Sequence, residues 1–383
     1  MRFFTVGFAV LFAALAARGE TVVDVEGVGA GRMQVSIDVS GSPAFKSSLR
    51  RNLELSGRFE VVAKGAIAVT GAVGGEIKVV GKGKVLALSS SAADDKAARM
   101  EARRLADKMC EALADQKGFA MDRIAFVSRE AKGTSELCVT YPDGYDIMRL
   151  TSDGGTVVGP RWKNRDSIFY TGIRGAGPQV FEYDVAGQKR KLKWSFRGLT
   201  TGAAVSPDGN RVAIILSMHG NPELYVIDMA AGSWRRLTTT QNASEGQPCW
   251  SPDGRKIVYV SDETRHPQLY VIDVATKEKR RVTSIGSQNV DPDWGLDGRI
   301  AYITKRGGQG QIAVLDPKTG DKSAQLVGAP GSWEHPSWAR DGRHVVAGRD
   351  KALFVVDTAT DNPAEPKIVF RAQGNWITPC WSK

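Results

Sequence analysis

The sequence is poor in the groups that most catalysis needs. Its 383 residues hold four histidines, His219, His266, His335 and His344, and none has a neighbour at metal-ligand spacing. No G-x-S-x-G nucleophile elbow occurs. No nucleic-acid-binding signature accompanies the formal net charge of +10. Beyond the run that ends at Leu15, no apolar stretch approaches the length that spans a bilayer. Cysteine is scarce, with Cys110, Cys138, Cys249 and Cys380. Cys249 and Cys380 each directly precede a tryptophan of the repeat described next, on opposite sides of the ring that the repeat predicts. They are too far apart to bridge, and all four are read as buried thiols. These absences leave no catalytic, metal or cofactor site to expect.

What the sequence has is a repeat. Residues 249–284 read CWSPDGRKIVYVSDETRHPQLYVIDVATKEKRRVTS: a strand, an S-P-D-G turn, and three more strands. Proline presets φ in such a turn and glycine closes it. The turn aspartates Asp208, Asp253, Asp297 and Asp341 recur at intervals of 45, 44 and 44 residues. The marker position before the turn is Trp162, Val205, Trp250, Trp294, Trp338 and Trp381. A third-strand aspartate keeps the same beat at Asp184, Asp228, Asp273, Asp316 and Asp357. Four strands every 40–45 residues is the pattern of a β-propeller blade. Trp381 begins a sixth blade whose other strands lie upstream, in 123–128, 136–140 and 146–151. The C-terminal strand therefore closes a six-bladed ring and removes an open edge.

The region before the propeller has another grammar. A charged start, an apolar run to Leu15 and the small residues Ala14 and Ala16 predict a signal peptide over 1–17. Ser42-Pro43 opens a helix with Phe45, Leu49 and Leu53 on one face and Gly57 as its stop. Strands are expected at 59–62, 67–73, 76–80 and 84–89, and a long helix at about 93–116. The expected fold is thus mainly β, a small α/β domain over 18–121 followed by a six-bladed β-propeller over 122–383. The basic runs at 188–193, 234–236 and 277–281 fall on turns and outer strands, where Lys and Arg block edge-to-edge pairing. They are read as a solvated face.

Binding is expected where loops of all blades converge, at the mouth of the central channel. Aligned on the marker, Gly202, Gln247, Asp291, His335 and Thr378 are equivalent there, with Glu245, Val290, Glu334 and Ile377 beside them. Trp333 and Trp376 lie one step further out and are expected to offer aromatic area to a partner, the alternative being cover between blades.

The blades resemble those of the TolB family. Leu49-Arg-Arg-Asn-Leu-Glu-Leu-Ser-Gly-Arg-Phe59 is similar to the first helix and strand of that family's amino-terminal domain. Residues 106–113 with Gly118-Phe119 and 123–128 resemble its last helix and the crossing into the propeller. The resemblance implies a monomeric, non-enzymatic periplasmic adaptor of the Tol–Pal envelope system, without cofactor, serving outer-membrane integrity and constriction at division. It implies two partners: the OmpA-like domain of the peptidoglycan-associated lipoprotein at the mouth, and the carboxy-terminal domain of TolA on a mature amino-terminal arm. That arm would be Glu20, Thr21, Val22, Val23, Asp24, Val25 and Glu26, whose alternating valines and acids suit strand addition. The competing reading is an exported propeller enzyme or glycan-binding module using the same channel.

Overall fold

A computed structural model describes residues 31–130, 133–152, 154–175, 177–328, 330–359, 367–370 (backbone only) and 375–382. The expected signal peptide and the arm, residues 20–26, lie outside the described residues. The first layer is a sheet of order β2-β1-β3-β4-β5, built from β1 (Met33–Ser40), β2 (Phe59–Val61), β3 (Ile67–Ala72), β4 (Glu76–Gly81) and β5 (Lys84–Ser89). Helices α1 (Pro43–Leu55) and α2 (Asp95–Ala114) pack together over it. Strand β1 was not anticipated, although Met-Gln-Val-Ser-Ile-Asp-Val-Ser alternates with period two. It is an inner strand, parallel to both β2 and β3, so β1, α1 and β2 form a crossover unit. Helix α1 begins where expected: Ser42 Oγ accepts the Phe45 amide at 3.2 Å, and Pro43 takes the first turn. Phe45, Leu49 and Leu53 are fully buried.

Six four-stranded antiparallel sheets follow. Blade I has β9 (Thr156–Trp162), β10 (Ser167–Arg174), β11 (Gly177–Asp184) and β12 (Lys189–Trp194). Blade II has β13 (Thr200–Val205), β14 (Arg211–Leu216), β15 (Glu223–Asp228) and β16 (Trp234–Arg236). Blade III has β17 (Glu245–Trp250), β18 (Lys256–Ser261), β19 (Gln268–Asp273) and β20 (Lys279–Arg281). Blade IV has β21 (Gln288–Trp294), β22 (Ile300–Arg306), β23 (Gln309–Leu315) and β24 (Gln325–Val327). Blade V has β25 (Glu334–Trp338), β26 (His344–Arg349), β27 (Ala352–Asp357) and β28 (Lys367–Phe370). Blade VI joins β29 (Asn375–Trp381) to β6 (Ile124–Arg129), β7 (Ser135–Thr140) and β8 (Met148–Arg149), the predicted closure. Each first strand touches the first strand of the next blade all the way round.

The repeat aspartates are turn residues. Asp253 Oδ1 accepts the Arg255 amide at 3.0 Å and the Ser251 hydroxyl at 2.6 Å, and Asp273 Oδ1 accepts the amides of Ala275 and Thr276 at 2.9 and 3.0 Å. The marker tryptophans join neighbouring blades. The guanidiniums of Arg211 and Arg299 lie 4.9 and 5.0 Å from the rings of Trp250 and Trp338, and the Trp250 indole donates to the Ala204 carbonyl at 2.9 Å. All four cysteines are free thiols.

The α/β domain covers the turn end of blades V and VI. Arg103 and Asp143, both fully buried, make a bidentate pair at 2.8 and 2.9 Å. Ser48 Oγ and Asn52 Nδ2 also donate to Asp143, at 2.6 and 3.1 Å. Arg103 Nη1 reaches Asp146 at 2.8 Å, and the guanidinium lies 3.9 Å from the centre of the Tyr141 ring. A second contact is apolar, with Leu55 and Phe119 packed in one core with Trp381. Gly57, at φ +69°, brings the end of α1 so close that a Cβ would stand 3.0 Å from the Asp357 carboxylate. In the crossing between the two parts, burial pushes the Asp122 carboxyl up to about 7 against the pull of the adjacent Arg340.

Candidate functional site at the channel mouth

The end of the ring away from the α/β domain carries the connections that lead into each first strand. There every first strand has a register shift against its neighbour. At each shift one residue takes left-handed backbone: Gly159, Gly202, Gln247, Asp291, His335 and Thr378, with φ of 56°, 71°, 51°, 54°, 49° and 49°. These are bulges, which re-aim side chains. Proline follows five of the six, at Pro160, Pro248, Pro292, Pro336 and Pro379, where the broken ladder needs no amide. Left-handed backbone costs a residue with a Cβ about 1–2 kcal/mol, and such strain collects at functional sites.

The sequence alignment thus picked five members of this ring and missed Gly159. The recurring X-Pro step would have found it. Three members form one polar chain across blades III, IV and V. Gln247 Oε1 accepts the Asp291 amide at 2.8 Å while its Nε2 donates to Asp291 Oδ1. Asp291 Oδ2 accepts the His335 amide at 3.2 Å, and Oδ1 stands 3.0 Å from His335 Nδ1. The chain ends there. The buried hydroxyl of Thr378 has no partner among the described residues. On the other side Gly159 and Gly202 carry no side chain at all. Two of the six positions are bare and four carry polar side chains.

A second ring lies two residues deeper: Arg161, Ala204, Cys249, Asp293, Ser337 and Cys380. Here a side chain of one blade holds the marker amide of the next. Asp293 Oδ2 accepts the Trp338 amide at 2.7 Å, Ser337 Oγ the Trp381 amide at 3.0 Å, and Cys249 Sγ the Trp294 amide at 3.2 Å. The Arg161 guanidinium is placed among them: burial pulls its pKa down, but the neighbouring Cys380, Asp293 and Cys249 hold it above the usual value. Burial likewise works against the Asp291 carboxylate, yet His335, and after it Arg161, keep it below the ordinary range. Sequence reading did not find Arg161, because blade I lacks the S-P-D-G turn that would have drawn attention to its first strand.

Several expected roles need correction. Trp333 and Trp376 are 3% and 5% exposed, so they offer no aromatic surface. Trp333 packs edge-on against Phe354 at 5.5 Å, and Trp376 stands 4.7 Å from Phe126. Both sit where the chain turns into a first strand, and their rings fill the seams beneath, which was the alternative reading. Ile377 is buried in the seam between blades VI and I, and Val290 is half-buried in its own seam. Glu245 is 4% exposed, held by Ser261 Oγ at 3.1 Å and Thr240 Oγ1 at 3.2 Å, and is no rim charge. Burial, and then the charge of Glu223, push its carboxyl up to about 7. Asp291 is committed to the polar chain. Glu334 and His335 remain half-exposed, as does Gln247. Among the described residues, no cluster of three or more His, Cys, Asp or Glu could hold a metal ion. No described helix is long and apolar enough to cross a membrane.

Fold and site together define a six-bladed β-propeller that is covered by an α/β domain at one end and open at the other. The family model described as the TolB beta propeller domain matches residues 110–383, and the chain belongs to that family. The chain is 27% identical over 232 residues to the Tol-Pal system protein TolB of Gluconobacter oxydans (strain 621H), covering 59% of this chain and 50% of that protein. It is 29% identical over 154 residues to the protein of the same name from Anaeromyxobacter dehalogenans (strain 2CP-C), covering 40% and 35%. The chain therefore spans half or less of the length of these relatives. The crystal structure of TolB from Acinetobacter baumannii superposes with a TM-score of 0.80 at 22% identity, covering 92% of this chain and 96% of that one, and so shares the fold of both parts.

Proposed function

We propose that the protein is a non-enzymatic adaptor of the Tol–Pal system, exported to the periplasm, that docks the OmpA-like domain of the peptidoglycan-associated lipoprotein at the channel mouth. Gly202, Gln247, Glu334, His335 and Thr378 would touch that partner, with Asp291 orienting His335. Residues 20–26 would recruit the carboxy-terminal domain of TolA, and the pair of contacts would serve envelope integrity and constriction at division. The observation that carries the reading is the polar chain Gln247–Asp291–His335, raised on left-handed bulges beside the two bare positions Gly159 and Gly202. A rim of this kind suits a protein surface better than it suits chemistry, since it brings no nucleophile to a base. Family membership and the names of the relatives support the same reading.

The test is surface-plasmon kinetics against the purified lipoprotein domain. His335→Ala is expected to weaken binding at least about tenfold, or about 1.4 kcal/mol, chiefly through faster dissociation. Glu334→Gln is expected to change mainly the association rate and its salt dependence. Parental kinetics in both variants would place the partner elsewhere.

A further inference from the structure

The outer strands of the blades are unequal. Strands β16, β20 and β24 have three residues, β28 has four and β8 two, whereas β12 has six. Short outer strands are the usual protection of a sheet edge, so among the described residues β12 is the longest outer edge of this ring. It reads Lys-Arg-Lys-Leu-Lys-Trp. The basic outer strands beside it commit much of their charge to their own fold. Arg236 pairs with Glu223 at 2.8 Å, Lys279 with Glu263, and Arg235 and Arg280 donate to the carbonyls of Val274 and Pro317 in the next blades. Strand β12 does so less. Lys193 reaches Glu182 at 3.3 Å and Arg190 lies over the Phe181 ring, but Lys189 and Lys191 make no ion pair among the described residues. Next to Lys191 on the strand, Leu192 is 47% exposed. An open groove of about 270 Å³ runs alongside, with Trp194, Ile227 and Met229 as its apolar lining.

We propose that β12 is a docking edge for an extended acidic segment of a protein partner, which adds to blade I as a fifth strand. Backbone amides and carbonyls of the edge would supply the pairing, as in β-augmentation. Lys189 and Lys191 would face the carboxylates of the added strand, and an apolar residue between those carboxylates would lie on Leu192 or in the groove. The same lysines repel a second copy of β12, so the edge rejects self-pairing and admits an acidic strand. This surface is separate from the mouth and independent of what binds there.

The probe is a fluorescein-labelled, amino-terminally acetylated heptapeptide of alternating glutamate and valine, titrated onto the full chain by anisotropy at two salt concentrations. Binding is expected to weaken with salt and to fall at least about tenfold in the double variant Lys189→Glu, Lys191→Glu. Those lysines are exposed, so the variant is expected to melt like the parent. Amide hydrogen exchange is expected to slow at alternate residues of 189–194 when peptide is added. Undiminished binding by the variant, or protection confined to other segments, overturns the proposal. Binding of phosphatidylglycerol-containing vesicles without binding of the peptide also overturns it, as does concentration-dependent dimerisation through β12 in sedimentation.

Discussion

The two ends of the propeller are built on opposite principles. At the covered end the buried charges are matched: Arg103 and Asp143 saturate each other, and Ser48, Asn52 and Asp146 take up what remains. At the mouth the backbone is held left-handed at six places, the polar chain stops at His335, and the buried Thr378 hydroxyl has no partner among the described residues. A network that pairs its buried charges fixes the placement of one domain on another, although the Asn52 amide oxygen within it has no partner among the described residues. Strained backbone of the kind held at the mouth instead collects at functional sites. If the mouth docks a partner as proposed, stability and recognition are separated by the height of one blade.

The comparison breaks most visibly at Asp143. Asp143→Ala leaves the Arg103 guanidinium buried with only part of its counter-charge, and a loss of about 3–5 kcal/mol is expected in urea unfolding. Replacing both partners, as Arg103→Met with Asp143→Leu, is expected to cost much less. Neither variant, where folded, should alter lipoprotein binding. If Asp143→Ala is neutral in stability, the covered end is not the anchor described here.

The acid pair near the mouth sharpens the contrast through pH. Glu245 has an ordinary value of 4.5 and a folded value of about 7. Below the first value both states hold the proton, and between the two the folded state alone keeps it. The folded form therefore loses stability as pH rises through that window, by on the order of 2 kcal/mol. Glu245→Gln keeps a neutral, hydrogen-bonding side chain there. It is expected to raise the melting temperature at pH 8 and leave it nearly unchanged at pH 4. Equal shifts at both pH values would show that the proton held by Glu245 is not what sets the pH dependence.

The smallest effect lies at Thr378, a β-branched residue with φ +49°. Thr378→Gly relieves that conformation but gains chain entropy in the unfolded state, so a net stabilisation of about 0.5–1 kcal/mol is expected. The same change at Asp291, whose carboxylate is engaged, should destabilise. Denaturant midpoints of the two variants would move in opposite directions.

Most of the propeller was legible because its turns are chemical: Asp253 and Asp273 must cap their own loops, so they recur in register with the blades. The closing blade followed from the same beat. Strand β1 was missed, although its alternation is plain, because no turn motif or helix cap marks it. At the mouth the equivalent positions could be counted, but not which way each side chain faces. Trp333 and Trp376 illustrate this, since a tryptophan beside a strand is as well suited to a seam as to a surface, and packing decides. Arg161 was hidden for the converse reason: its importance comes from Asp293 and the two thiols of other blades, which no local pattern brings together.

The pairing of β29 with β6 also sets an order of events. The Arg123 amide donates to Ser382 Oγ across 259 residues of chain, and Trp381, on which Phe119 packs, lies in the same last strand. Contacts so distant in sequence form slowly, because the loop between them must be closed before they give anything back. Blades I to V can assemble as the chain emerges, but neither the ring nor the seat of the α/β domain is complete until the final strand arrives. During synthesis the open edge of β6 is thus a waiting template, and whatever shields it in that interval governs how much chain reaches the closed form rather than an aggregate.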